Sequence, residues 1–254
     1  MVIGLNDIMA YFVAFMRVSG IILFLPILSS KNVPWQSKML LVLLTTLLIG
    51  PFVPKPKPLN EFGEIFRLFL KEFALGLFIG FITRLLFGAI EMAGQIMGFG
   101  MGFGLSEILD PTGETQLPLL GTFFALFGIM IFFCADGPYW YIKALHESFC
   151  IISPEGAEFL KASRDLLVRG SLLYEIALKV ASPLLALNLL LYLGLAVMGR
   201  AFPQLNIFLI SLPLQVGVGL LGMGIVLPYL GAFLGRLFGH LGEDLLRLLI
   251  LMKG

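Results

Sequence analysis

Met92–Gly104 reads MAGQIMGFGMGFG, and the chain then breaks into the polar tract SEILDPTGETQ over 106–116 before an apolar run resumes at Leu117. Gly94, Gly98 and Gly102 recur every four residues, so on a helix they form a bare stripe along which a second helix can approach closely. Glycine eases bending of the backbone, and Met92, Met97 and Met101 add flexible, deformable side chains. Asp110-Pro111-Thr112-Gly113 fits a type I turn, with Asp first, Pro second and Gly fourth. A thinly clad helix leading into a short polar turn suits a gate or pore constriction. It suits a tightly packed helical hairpin equally.

Outward from this stretch, composition sets the class. The chain has 254 residues, is 59% hydrophobic and 13% charged, and carries a net charge of +1; its mean hydropathy is +0.99. The charged share is about half that of a soluble domain. Nothing marks a nucleic-acid footprint or a strongly basic membrane-surface patch. The expected architecture is an all-α, membrane-associated protein, with residues 1–254 forming one polytopic helical domain. The start MVIGLND lacks the basic region of a cleavable signal peptide. Cys134 and Cys150 read as free, buried thiols rather than a disulfide framework.

Long apolar stretches lie at Ile8–Leu28, Met39–Val53, Phe73–Gly104, Leu117–Ala135, Val180–Met198 and Leu205–Leu234. A bilayer-spanning helix needs about 20 such residues, and none of the stretches alternates as a strand would. Ser153–Arg169 reads as a polar helix with Ser153 as its N-cap and Pro154 in the first turn. The tail Phe233–Lys253 is amphipathic: Leu234, Leu237, Leu241, Leu245 and Leu248 share one stripe, with Glu243, Asp244 and Arg247 off it. Glycine ladders recur at Gly76/Gly80 and at Gly231/Gly235/Gly239, the second a candidate assembly stripe.

Charges and amides within these runs need partners that lipid cannot supply. Arg17, Arg84, Glu91, Glu175, Lys179 and Arg200 lie in or beside them, where an exposed charge costs at least about 2.5–3.5 kcal/mol. Glu175 precedes Lys179 by four residues, the favourable order for a helical ion pair. No ladder of carboxylates runs through successive spans as a proton relay requires, so pairing within protein is the favoured reading, with Glu175, Lys179 and Arg200 as candidate assembly residues. Pro26, Pro183, Pro213 and Pro228 remove helix hydrogen bonds, and Asn188, Asn206 and Gln215 bring amides needing partners.

Catalytic motifs find little footing. His146 and His240 are the only histidines, and neither has the spacing of a zinc site. No Walker A sequence and no Gly-x-Ser-x-Gly elbow occur. Gly217-Val218-Gly219-Leu220-Leu221-Gly222 matches GxGxxG, but inside a continuous apolar run instead of a strand-to-helix turn. The expectation is a protein that is not an enzyme and holds no cofactor or metal.

With these residues in place, the chain resembles the FliR family, export-gate subunits of the bacterial flagellar type III secretion apparatus, whose injectisome counterpart is SctT. Arg17–Trp35 (RVSGIILFLPILSSKNVPW) is similar to the family's opening segment, with its Arg in the first helix and its P-x-L-S…VP loop. Ala89–Gly104 followed by Asp110-Pro111 and Leu117-Pro118 resembles the central segment. Asn188–Gly222 carries the most specific part, R-x-x-P-Q-x-N-x-F and x-P-L, at Arg200, Pro203, Gln204, Asn206, Phe208, Pro213 and Leu214.

The resemblance implies tilted, broken helices in hairpins, with a FliP-like portion followed by a FliQ-like portion. It implies a non-enzymatic core subunit that forms, with FliP-like and FliQ-like proteins, the channel for unfolded flagellar substrates at the basal body in the cytoplasmic membrane. FlhB-like and FlhA-like components stand at the entrance and below. It further implies a plug at Ser106, Glu107, Ile108, Leu109, Asp110, Pro111, Thr112, Gly113, Glu114, Thr115, Gln116 and Leu117, reached through the gate-helix residues Gly94, Met97, Gly98, Met101 and Gly102. The alternatives are the virulence-type equivalent and a secondary transporter for a small substrate bound at broken helices.

Overall fold

Every long apolar run of the sequence becomes helix in the computed structural model, which describes residues 5–25, 28, 33–56, 61–104, 118–152, 159–204 and 206–253. The helices are α1 (Leu5–Phe24), α2 (Trp35–Ile49), α3 (Phe62–Gly100), α4 (Leu119–Cys134), α5 (Gly137–Ile151), α6 (Phe159–Ala201), α7 (Ile207–Gly239) and α8 (Leu241–Met252). No strand occurs among the described residues. Five of the helical stretches are long and apolar enough to cross a membrane, or six if the broken pair α4 and α5 counts as one span. The proposed plug tract, Pro26 and the expected Ser153 cap lie outside the described residues.

Two boundaries differ from the sequence reading. α3 starts eleven residues before the apolar run, at Phe62, because the segment through Glu72 includes no proline and Glu64, Arg67, Leu68, Leu70, Lys71 and Glu72 are good helix formers that outweigh Gly63. α6 joins the polar stretch to the apolar run Val180–Met198 in one helix of 43 residues that continues through Pro183. Pro183 cannot donate to the carbonyl of Lys179, and the hydroxyl of Ser182 donates to that oxygen instead, at 3.0 Å. α7 likewise continues through Pro213 and Pro228.

The chain divides into two compact units: Met1–Leu86 with Ala135–Gly170 and Phe238–Gly254, and Phe87–Cys134 with Ser171–Leu237. Because their segments interleave, the units do not correspond to two consecutive portions of the sequence. In the first unit Val13, Ala14, Val18, Ile79, Leu145 and Ile152 form part of the core, with α1 packed on α2 and α5 on α8. Of the expected tail Phe233–Lys253, only the part from Phe238 belongs to this unit; there Leu241, Leu245 and Leu248 are fully buried, Glu243 and Arg247 are exposed, and Asp244 is half-buried. Arg169 donates to both Asp165 (2.7 Å) and Asp244 (2.8 Å), tying α6 to α8. In the second unit Ile90, Ala93, Phe124, Val180, Leu184 and Leu230 are buried.

Large apolar faces stay uncovered. α2 buries only Val42, Thr46 and Ile49, while Trp35, Leu40, Leu47 and Leu48 are exposed. Exposed apolar surface on this scale fits lipid or further protein.

Candidate functional site

The second unit holds the end of α3, where the gate residues were expected. Gly94 lies against α4: a Cβ there would stand 2.6 Å from the Leu120 carbonyl oxygen and 3.0 Å from the Gly121 Cα. The two backbones therefore touch at Gly94 and Gly121. A Cβ on Gly121 would meet side chains instead, with Gln95 Cγ at 2.9 Å. Gly98 is looser, with the nearest Leu120 side-chain atom at an ordinary 3.5 Å from such a Cβ.

Gly102 departs from the helical stripe. α3 ends at Gly100, and Gly102 adopts φ +86°. The N–H of Phe103 donates to the Gly98 carbonyl at 3.0 Å, and that of Gly102 to the Phe99 carbonyl at 3.1 Å. These two bonds make a Schellman cap, with glycine at the one position requiring a left-handed backbone. Gly102 ends the helix instead of extending its bare face.

Met97 and Met101 are fully buried within the chain. Met101 fills the notch left by Gly219, where a Cβ would meet its Cε at 2.7 Å. The GxGxxG match thus lies in mid-helix, and its second glycine receives a methionine. Around the end of α3 stand polar groups from α6 and α7. The Tyr192 hydroxyl donates to the Gly100 carbonyl at 3.1 Å, satisfying one of the helix's orphan acceptors. Gln215 Oε1 faces Gly102, and Asn188 faces Gly100. The Asn188 amide is buried with neither its oxygen nor its nitrogen hydrogen-bonded, a costly arrangement of about 1–3 kcal/mol.

The first unit holds a buried charge cluster. Arg17 on α1 donates from Nε to Glu72 Oε2 at 2.6 Å and from Nη2 to Glu72 Oε1 at 3.0 Å. Its Nη1 donates to Ser148 Oγ at 2.9 Å, and its guanidinium carbon lies 3.9 Å from the centroid of the Phe149 ring. Arg17 was singled out in the sequence; Glu72 and Ser148 were not. The only signal available for Glu72 was an acid on a helix that becomes apolar. The geometry depends on a glycine crossing one turn away: a Cβ on Gly20 would stand 2.8 Å from the Leu77 nitrogen, and Gly76 faces the Arg17 carbonyl.

The remaining candidates are dispersed. Lys179 donates to Glu175 at 2.6 Å on an exposed face. Arg200 is exposed in the last turn of α6. Gly231 faces Phe127 and Ile131, whereas Gly235 and Gly239 have open space where a side chain would be. Arg84 is exposed and Glu91 half-buried. Both cysteines are exposed, contrary to the buried thiols expected: each sits on an outward face of its helix, where apolar surroundings in sequence do not mean burial in the chain.

Residues 8–241 match the model of the family described as bacterial export proteins, family 1. The chain belongs to that family. Its relatives include the flagellar biosynthetic protein FliR of Escherichia coli K12, 32% identical over 207 residues that cover 80% of this chain and 78% of that protein. FliR of Bacillus subtilis 168 is 26% identical over 211 residues, 82% of either chain. The secretion system apparatus protein SsaT of Salmonella typhimurium LT2 is 29% identical over 217 residues, 82% of this chain and 83% of its own. The family match takes in α2 to α7 whole and therefore the α3–α4 hairpin and the Arg17–Glu72 cluster.

Proposed function

We propose that this protein is a non-enzymatic core subunit of the flagellar type III export gate in the bacterial cytoplasmic membrane. It forms, with FliP-like and FliQ-like proteins, the channel for unfolded flagellar substrates, with FlhB-like and FlhA-like components alongside. The observation that carries this reading is the family match over residues 8–241 together with the FliR relatives. The exposed apolar faces of α2, α6 and α7 agree with it, since a subunit built to be surrounded by other helices leaves such surface uncovered. Residues 1–254 act as one export-gate domain, a FliP-like portion followed by a FliQ-like portion.

Within that reading, Ser106–Leu117 serves as the plug of the resting channel. Gly94, Met97, Gly98, Met101 and Gly102 form the support from which it hangs. The close contact of Gly94 with Gly121 fixes the two helices that flank the tract. Glu175, Lys179, Arg200 and the open glycines Gly235 and Gly239 contribute to contacts with other subunits. The SsaT relative favours one second reading, the virulence-type equivalent, with the same channel role and other cargo. Deleting the gene in its native cell distinguishes them: loss of flagellar filaments and of exported flagellar proteins supports the first reading, and normal filaments contradict it.

A further inference from the structure

α5 carries two metal-ligating side chains one turn apart, His146 and Cys150, both exposed. His146 Nε2 stands 3.9 Å from Cys150 Sγ. At that distance a thiol–imidazole hydrogen bond is weak, but the separation is close to what a shared ion needs. Zinc–sulfur bonds of about 2.3 Å and zinc–nitrogen bonds of about 2.0–2.1 Å at a tetrahedral angle place the donor atoms about 3.6 Å apart. Small rotations of the two side chains bring both onto one ion with the helix unmoved. The Phe52 ring stands nearly perpendicular to the imidazole, centroids 6.2 Å apart. The pair also occupies the last turn and a half of α5, where unpaired carbonyls favour positive charge. Arg17 reaches the same helix at Ser148, on its buried side, and its charge is met there by Glu72.

We propose that His146 and Cys150 form a two-point chelate for a borderline-soft divalent cation of the zinc class. On binding, the thiol proton passes to solvent and the sulfur coordinates as thiolate. The neutral imidazole coordinates through Nε2 and keeps its proton on Nδ1, and water fills the open positions. Among the described residues no group of three or more His, Cys, Asp or Glu side chains is placed to hold one ion, so the site has the affinity of an open chelate and not of a closed structural centre. Sequence spacing pointed away from a zinc site at His146; it is the helix that brings its Nε2 close to Cys150 Sγ. The proposal stands independently of the export role.

The test uses the full chain in the membranes of the cells that make it, a membrane-permeant thiol-reactive maleimide, and zinc as the probe, with peptide mapping to follow the two cysteines separately. At zinc about ten times above its dissociation constant, labelling of Cys150 slows about tenfold by mass action, and Cys134 labels at an unchanged rate. His146→Ala keeps the thiol and alters an exposed position, so it removes the protection without removing the reaction. Equal protection of Cys150 in the wild type and in His146→Ala overturns the chelate, as does the absence of protection at millimolar zinc. A Cys150 that fails to label without zinc also overturns it, because the site requires an accessible sulfur.

Discussion

Arg17 donates two hydrogen bonds to Glu72, at 2.6 and 3.0 Å, with no part of either side chain exposed. Fifty-five residues separate them along the chain. Two planar groups meeting in parallel give a buried ion pair its strongest hydrogen bonds, which compensate part of the cost of taking both charges out of water. Ser148 takes a third guanidinium N–H, so the cluster ties α1, α3 and α5 together in the first unit.

Removing one partner leaves the other charge buried and unpaired. Glu72→Ala is expected to destabilise the chain by about 3–5 kcal/mol, whereas replacing both Arg17 and Glu72 with apolar residues of similar volume recovers most of the loss. Denaturant resistance of the chain co-purified in detergent with its partner subunits, with cellular abundance in parallel, measures both. A double variant as unstable as Glu72→Ala would show that the cluster matters for something other than charge pairing.

The α3–α4 contact makes a sharper distinction than the glycine stripe did. Gly94→Ala forces a methyl group against the Leu120 carbonyl, a backbone atom that cannot swing aside, and overpacking of this kind costs about 1–3 kcal/mol. Gly98→Ala adds its methyl at an ordinary contact distance and is expected to behave as wild type. Abundance of the assembled protein and export of a flagellar substrate are the readouts. Equal tolerance of the two substitutions would contradict the close packing at Gly94.

Much of this fold was readable in advance, and the reasons differ by element. The last part of the tail was legible because a leucine period near 3.6 needs no knowledge of the partner: Leu241, Leu245 and Leu248 are fully buried on α8, whereas the expected single stripe is broken between α7 and α8 at His240 and Leu237 is only half-buried. Glu175 and Lys179 were legible because four residues on a helix fix their distance. Glu72 was not, because its partner lies on another helix and a single sequence carries no record of which helices meet. Gly102 kept the spacing of a helical stripe while its backbone left the helix. The thiols failed for a related reason: in a chain with this much apolar surface, an apolar neighbourhood in sequence does not predict the inside.

The proposed plug has a direct consequence for permeability. Shortening Ser106–Gln116, with Leu105 joined to Leu117 through a few glycines, is expected to leave assembly intact and to let ions or small solutes leak when no substrate is engaged. Solute permeability of cells carrying the assembled complex, with complex abundance checked alongside, measures it. Normal abundance with unchanged permeability would remove the plug assignment and leave the tract a connector between two packed helices.

As one subunit of a mixed helical assembly, this chain is expected to co-purify with unlike membrane proteins. A tagged chain expressed with FliP-like and FliQ-like proteins is expected to yield one detergent-stable complex containing all three, while the chain expressed alone aggregates or is degraded. A stable, monodisperse homo-oligomer of the chain alone, with no FliP-like or FliQ-like protein bound when these are present, would contradict it.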